Sequence, residues 1–153
     1  MSPHFENLRA TRQKFIHFLE ALSLEDLNKI PANFNNNIFW NIAHAVVTQQ
    51  LLTYRMTGLE GYVDQTYIDW FRKGTKPESP YGQEHLIYVK EQITELINRT
   101  AQDYKNKVFG AYRTYQTSYG VTLNSIEDAI VFNNMHEALH LGYVMAQRKA
   151  IAI

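Results

Sequence analysis

Four segments of the chain carry apolar residues at intervals of three and four, the spacing that places side chains on one face of a helix. The first segment has a single polar interruption, Arg12, in a stripe of Phe5, Leu8, Phe15, Leu19 and Leu22. The second begins after an N-cap at Asn36 or Asn37 and ends near Gly58, with a stripe of Trp40, His44, Val47, Leu51 and Tyr54. The spacing therefore predicts two amphipathic helices before residue 59.

Two further helices are predicted in the second half of the chain. The third follows Ser79-Pro80 directly, because serine is a good N-cap and proline is favoured at the first helical position. Its stripe comprises Leu86, Val89, Ile93 and Leu96. The fourth begins between Thr122 and Ser125 and continues almost to residue 153. Its stripe becomes polar halfway along and comprises Ile126, Ala129, Asn133, His136, His140, Tyr143 and Gln147.

The connections between these helices differ in length. Residues 58–82 are too many for a tight antiparallel turn and indicate a crossover, in which residues 64–71 are predicted to form a short helix and residues 72–77 a loop. Residues 105–121 are rich in tyrosine and glycine and match no regular pattern. We predict an all-α fold, a four-helix bundle with a long crossover between the second and third helices, in a single domain covering residues 1–153.

Charge and composition narrow the classes of function. Fifteen Lys and Arg residues balance fifteen Asp and Glu residues without any basic block, which argues against nucleic-acid binding. The chain has no cysteine, so any metal must be bound by His, Asp or Glu. Neither a signal peptide nor an apolar run long enough to cross a bilayer is present, and we expect a cytoplasmic protein without a membrane partner.

His136 and His140 are the first candidates for metal ligands. They are four residues apart, so a helix places both imidazoles on one face, one turn apart. The run His136-Glu137-Ala138-Leu139-His140 also matches the HExxH pattern of zinc peptidases, in which the glutamate acts as general base. Such peptidases usually take a third ligand from downstream, yet residues 141–153 contain no His, Asp or Glu. The peptidase interpretation is therefore disfavoured. The alternative to metal binding by this pair alone is that the two histidines line a solvated groove or an interface.

The third ligand must then come from upstream, and His44 is the best candidate because it lies on an otherwise apolar stripe between Trp40 and Val47. A single histidine in such a position is usually a hydrogen-bonded core residue. Burial of three unpaired imidazoles would be costly, whereas one metal ion accounts for all three. Three neutral imidazoles leave coordination positions open for water or substrate. Zinc and nickel are the favoured ions, although imidazole also suits iron, cobalt and manganese.

Three neighbouring residues are candidates to support this site. Asn41 and Asn133 lie three residues before His44 and His136, and each is a candidate acceptor for the second ring N–H of a ligand. The alternative is that these asparagines tolerate a solvated groove or an interface. Glu137 is a general-base candidate if its side chain points inward, and an exposed helical position is its alternative. The remaining histidines are expected at the surface and are His4, His17 and His85.

Together these motifs resemble the DinB-like family of metal-dependent enzymes. The resemblance rests on Phe39-Trp40-Asn41-Ile42-Ala43-His44 and on Asn134-Met135-His136-Glu137-Ala138-Leu139-His140-Leu141-Gly142-Tyr143, and it extends over nearly the whole chain. It implies an up-down-down-up bundle, often a homodimer, in which the three matched histidines bind a divalent metal ion. Relatives include thiol-dependent S-transferases and a mycothiol-dependent isomerase, which implies a low-molecular-weight thiol cosubstrate whose pKa the metal lowers.

Two classes of function follow. The first is a metal-dependent enzyme acting on a small-molecule substrate, either a transferase that uses a thiol or a hydrolase that uses metal-activated water. The second is a non-catalytic metal-binding or dimerisation module, which is consistent with the lack of a convincing general base and of an arginine cluster that could hold a substrate. The observation that would help most is whether the pocket beside the histidines is open or is plugged by side chains such as Trp40 and Tyr143.

Overall fold

The computed structural model describes residues 3–152 and is mostly helical. Its helices are α1 (Pro3–Ala21), α2 (Leu24–Asn28), α3 (Ile38–Thr53), α4 (Gln65–Phe71), α5 (Gln83–Lys105) and α6 (Ile126–Ile151). A 3₁₀ turn (Arg55–Thr57) follows α3, and two short antiparallel strands, β1 (Tyr115–Gln116) and β2 (Thr122–Leu123), precede α6. The four long helices predicted from the sequence correspond to α1, α3, α5 and α6. Within the described residues, no helix has both the length and the apolar character needed to cross a membrane.

Side-chain caps determine where α3 and α6 begin, and both lie where the sequence predicts them. The Asn37 side chain accepts a hydrogen bond from the Trp40 backbone N–H at 2.8 Å. Ser125 accepts one from the Asp128 backbone N–H at 3.0 Å. The short crossover helix, predicted over residues 64–71, is α4, and its N-cap is Asp64. Because caps are local features, sequence is sufficient to locate the starts of α3 and α6.

The start of α5 differs from the prediction, which placed it directly after Ser79-Pro80. The helix begins at Gln83 because tertiary contacts hold Tyr81 outside it. The Tyr81 backbone N–H donates to Asn28 Oδ1 at 2.7 Å, and its carbonyl accepts from Asn28 Nδ2 at 3.0 Å. The Tyr81 ring also stacks on Phe39, with ring centroids 4.8 Å apart. Contacts with α2 and α3 thus outweigh the local helix-start signal.

The segment that matched no pattern, residues 105–121, contains β1 and a loop that packs against the end of α3. Two hydrogen bonds hold this loop. The Tyr112 hydroxyl donates to the Leu52 carbonyl at 3.0 Å, and the Arg113 backbone N–H donates to the Met56 carbonyl at 2.8 Å. Strands of two residues are too short to produce a detectable alternation. The loop is therefore specified by its contacts and not by its own periodicity.

The four long helices contact one another in the pairs α1–α5, α5–α3, α3–α6 and α6–α1, and the most extensive contact joins α3 and α6. The short helices α2 and α4 also contact α3. Almost every residue of α3 is consequently buried, including the polar residues Asn41, His44, Gln49 and Gln50. Because α3 faces α6, the histidine of one helix lies opposite the histidine pair of the other.

Candidate metal centre

Helices α3 and α6 bring three histidine side chains together. His44 Nε2 lies 3.3 Å from His136 Nε2, which lies 3.2 Å from His140 Nε2. With one nitrogen taken from each residue, all three atoms lie within 4.8 Å of one another. Three nitrogens bound to one ion at about 2.1 Å with tetrahedral angles would lie about 3.4 Å apart. The observed spacing therefore fits a shared metal ion.

Hydrogen bonds at the outer ring nitrogen orient two of the three imidazoles. His44 Nδ1 lies 2.6 Å from the carbonyl oxygen of Phe71, at the end of α4. His140 Nδ1 lies 2.8 Å from Asn41 Oδ1. Both partners are acceptors, so the proton of each ring resides on Nδ1. The Nε2 lone pairs of these two rings therefore point towards His136, in the form that a metal requires.

The orientation of the Asn41 amide is determined by its own contacts. Its Nδ2 group lies 2.8 Å from Asn36 Oδ1, 2.9 Å from the Asn37 carbonyl and 3.1 Å from Gln147 Oε1. Gln147 Nε2 donates in turn to the carbonyl and Oδ1 of Asn36. The network leaves Asn41 Oδ1 free to accept from His140. Asn41 thus accepts a ring N–H as predicted, from a histidine of α6 and not from its own helix.

Burial lowers the pKa of all three histidines, so each ring is neutral at neutral pH. The pKa of His136 is lowered to about 3, chiefly by burial and further by repulsion from His44 when that ring is protonated and from the charge of Arg12. The pKa of His140 is lowered to about 2 by burial and by its two histidine neighbours. Burial also lowers the pKa of His44, against the opposing effect of its hydrogen bond to Phe71. Neutral imidazoles are the form that binds metal ions.

The histidines form part of the wall of a cavity of about 510 Å³. This volume is typical of sites that bind small molecules. Helices α3 and α6 and the loop that contains β1 contribute to its wall, and many of its lining side chains are apolar, among them Leu51, Phe132, Met135 and Leu139. The Thr48 hydroxyl also lines the cavity, 3.3 Å from His44 Nε2. A small molecule that enters the cavity can therefore reach the histidines.

Neither of the two side chains considered as plugs lines this cavity. The Trp40 ring stacks on the His44 ring, with centroids 4.6 Å apart and planes at 11°, and its Nε1 donates to Thr75 Oγ1 at 3.2 Å. The Tyr143 ring packs edge-on against Phe34, at 6.3 Å between centroids. Trp40 therefore packs against the face of the His44 ring and leaves the cavity open.

Comparison with known proteins gives the family. A sequence model of the DinB superfamily matches residues 7–144, which is most of the chain. The chain belongs to the DinB superfamily. Among solved structures, the crystal structure of a conserved protein from Enterococcus faecalis is similar, with a TM-score of 0.67 and 13% identity over 98% of this chain and 96% of that one. At this identity the likeness concerns the fold alone. No curated protein matches the chain.

In this DinB-superfamily chain, Glu137 is neither exposed on its helix nor placed beside the histidines as a general base would be. Its side chain is fully buried, and its two carboxylate oxygens accept from Arg12 Nε and Nη2, both at 2.7 Å. Asn133 Nδ2 donates to the same carboxylate at 2.8 Å, and Arg12 Nη1 donates to the Ile93 carbonyl at 3.1 Å. Glu137 does not line the cavity. The geometry argues against a general-base role and indicates a structural tie between α1, α5 and α6.

The structure confirms some of the predictions for Asn133 and for the histidines outside the cluster of this DinB-superfamily chain, and contradicts others. Asn133 contacts Glu137, so the predicted hydrogen bond from His136 is not formed, and within residues 3–152 His136 Nδ1 has no hydrogen-bond partner. His4 and His17 are exposed, as expected. His85 is instead half-buried, and its Nδ1 accepts from the Gly82 backbone N–H at the start of α5. None of these three histidines belongs to the cluster.

Several residues that line the cavity were not predicted from the sequence. Thr48 was detectable in principle, because it follows His44 by one helical turn. The sequence also gave no sign of clustered arginines, yet Arg55 and Arg113 both line the cavity, together with Lys73. These three residues lie in different connections, so their proximity depends on how the connections pack.

Proposed function

We propose that this DinB-superfamily protein binds one divalent metal ion through His44, His136 and His140 and uses it in a reaction on a small molecule. The observation that carries the proposal is the set of three Nε2 atoms, with separations of 3.3 and 3.2 Å, at the wall of a cavity of about 510 Å³. Zinc and nickel are the proposed ions, because an all-imidazole donor set suits borderline cations and not magnesium or calcium.

A thiol-dependent transferase is the reaction type that the site supports best. In the described part of the chain, no Asp or Glu side chain lines the cavity, and the nearest sequence candidate, Glu137, is engaged by Arg12. The site therefore lacks a carboxylate base for a hydrolase. A divalent ion held by the histidines would lower the pKa of a thiol or of water. The Thr48 hydroxyl is placed to hydrogen-bond to whatever group lies against His44.

A non-catalytic metal-binding or dimerisation module is the second candidate. The lack of a carboxylate in the cavity wall supports it equally, because no lining residue is an evident general base. The half-exposed apolar row on α6, spaced by four residues, is also consistent with a surface that pairs with another chain; it comprises Val131, Met135, Leu139 and Tyr143. The size of the cavity and its access to the histidines favour the enzyme over this module.

Other properties are proposed on the strength of family membership. We propose an up-down-down-up four-helix bundle for α1, α3, α5 and α6, supported by their pairwise contacts. We further propose a single domain over residues 1–153, a homodimer and a cytoplasmic location.

Metal analysis tests the centre directly. The purified protein is loaded with zinc or nickel, desalted and analysed for metal, beside His44→Ala, His136→Ala and His140→Ala. We expect about one ion per wild-type chain and loss of the ion in each variant. His17→Ala is the matched control, because His17 is exposed and outside the cluster, and it should keep the wild-type content. Wild-type metal content in all three cluster variants would exclude the site.

A thiol panel tests the reaction type. Cobalt-substituted protein is titrated with glutathione and bacillithiol while its visible absorption is recorded, and each thiol is then supplied with 1-chloro-2,4-dinitrobenzene. A transferase should show a spectral change and metal-dependent thioether formation with at least one thiol. If no thiol perturbs the cobalt spectrum or reacts, the transferase proposal fails, and the hydrolase and the binding module remain.

A further inference from the structure

Two arginines come together at the part of the cavity formed by the end of α3. Arg55 lies in the 3₁₀ turn that follows α3, and Arg113 lies in the loop before β1; both line the cavity. The Arg113 backbone N–H donates to the carbonyl of Met56, the residue next to Arg55, at 2.8 Å. This bond holds the Arg113 backbone beside Met56, and therefore close to Arg55, although the two arginines are far apart in the chain.

The charges of these arginines are not neutralised by the protein. All charged side chains that line the cavity are cations, Arg55, Lys73 and Arg113, and none of the three forms an ion pair within residues 3–152. Within the same residues, the only hydrogen bond of the Arg113 guanidinium is to Met56 Sδ, at 3.9 Å. Since the whole chain has a formal net charge of zero, the positive charge is a local property of the cavity. Cations that line one cavity without forming ion pairs favour the binding of an anion there.

The arginines and the histidines lie in different parts of the cavity. Arg55 follows His44 by eleven residues, which corresponds to about 16 Å along a helix. Leu51 and Leu52 line the cavity from the intervening part of α3, and Phe132 lines it from α6. An extended small molecule can thus contact the arginines with one end, apolar side chains with its middle and the histidines with the other end.

We propose that Arg55 and Arg113 form a subsite for an anionic group, so that the cavity selects small molecules with a carboxylate or phosphate at one end and an apolar body. The identification of the opposite end as the reacting end rests on the proposed metal function. The anion subsite itself rests on the two arginines and the apolar wall, and it does not require the metal.

Binding of two matched fluorescent probes tests the subsite. 8-Anilino-1-naphthalenesulfonate carries an anionic group, and N-phenyl-1-naphthylamine has a similar apolar body without charge. Both are titrated into metal-free and zinc-loaded protein, for the wild type, Arg55→Gln, Arg113→Gln and the double variant. Arg148→Gln is the matched control, because Arg148 is an exposed cation that does not line the cavity.

We expect each single variant to weaken binding of the sulfonate about twofold to fivefold and the double variant about tenfold. The neutral probe should change less than about twofold, because only the charge has been removed. Arg148→Gln should behave as the wild type with both probes. Equal binding of the sulfonate by the wild type and the double variant, or an equal loss of both probes, would overturn the subsite.

Displacement identifies the anionic group. Bound sulfonate is competed with 1-naphthoate, 1-naphthyl phosphate and neutral 1-naphthamide. Preferential displacement by the carboxylate or by the phosphate supports the subsite and shows which anion it takes, whereas displacement by the amide at equal concentration overturns it. The His136→Ala variant separates the two proposals. If His136→Ala loses the metal but still prefers the charged probe, the subsite is supported independently of the metal centre. If the wild type binds the metal but does not prefer the charged probe, the metal centre is supported and the subsite is not.

Discussion

Replacement of Glu137 by glutamine is expected to destabilise the fold strongly. The side chains of Arg12 and Glu137 are 1% and 0% exposed, and two contacts of 2.7 Å join them. Arg12 and Asn133 both donate to the carboxylate. A glutamine amide offers one acceptor oxygen and an NH₂ group, so one of these donors would face another donor. The buried guanidinium would also lose its counter-charge. Removal of one partner from a buried pair costs about 3–5 kcal/mol.

Urea unfolding measures this loss. With a denaturant slope of about 2 kcal/mol per molar urea, typical of a chain of this size, the midpoint of Glu137→Gln should lie about 1.5–2.5 M lower. Glu95→Gln is the matched control, because the Arg99–Glu95 contact has the same length of 2.7 Å but both side chains are about half exposed. Water screens such a pair, so the control should unfold close to the wild type.

A double variant separates the pair from its surroundings. Arg12→Leu combined with Glu137→Leu removes both charges, and we expect it to be more stable than Glu137→Leu alone, because no uncompensated buried charge remains. At low temperature, folded Glu137→Gln should still bind metal, since Glu137 does not line the cavity. A wild-type urea midpoint for Glu137→Gln together with complete loss of a metal-dependent activity would refute this reasoning and restore Glu137 as a general base.

Three further predictions concern the histidines. Asn41→Ala removes the acceptor for His140 Nδ1 and should weaken metal affinity about tenfold to hundredfold, as measured by competition with a chromophoric chelator. Metal-free protein should lose stability as the pH falls below 6.5. The native pKa values of His136 and His140, about 3 and about 2, lie below the unfolded value, so the unfolded chain binds more protons. The loss is up to about 1.4 kcal/mol per pH unit for each histidine; urea midpoints that do not change between about pH 7 and about pH 5 would contradict it. Trp40 stacks on His44, a candidate ligand, with ring centroids 4.6 Å apart. Metal addition should therefore alter the fluorescence of Trp70→Phe, which retains Trp40, and not that of Trp40→Phe, which retains Trp70.

The long helices were predictable because their signals are local. A helix forms hydrogen bonds within its own segment, and its buried face repeats every three to four residues. The stripe of α1 is accordingly buried at Phe5, Leu8, Phe15 and Leu19. Asn37 and Ser125 cap the helices that carry the histidines. The predicted start of α5 was wrong because Tyr81 is bound by Asn28, which lies 53 residues away in the chain.

The candidate ligands were also predictable, for two different reasons. His136 and His140 share a helical face by their spacing alone. The choice of His44 depended on the lack of a downstream ligand in residues 141–153, on its position in an apolar stripe and on the family resemblance. The contact of Asn41 with His140 spans 99 residues, and no spacing rule could indicate it.

The sequence by itself determined four long helices, a neutral chain without cysteine and three histidines on helical stripes. Only the tertiary structure decided which groups meet. Glu137 is next to His136 in the chain, yet it points to Arg12, 125 residues away, because adjacent positions on a helix project in different directions and α6 packs against both α3 and α1. The same packing brings Arg55 and Arg113 into one cavity with the histidines. Secondary structure is encoded by short-range hydrogen bonds and periodicity, whereas the partner of a side chain depends on how distant helices and loops pack.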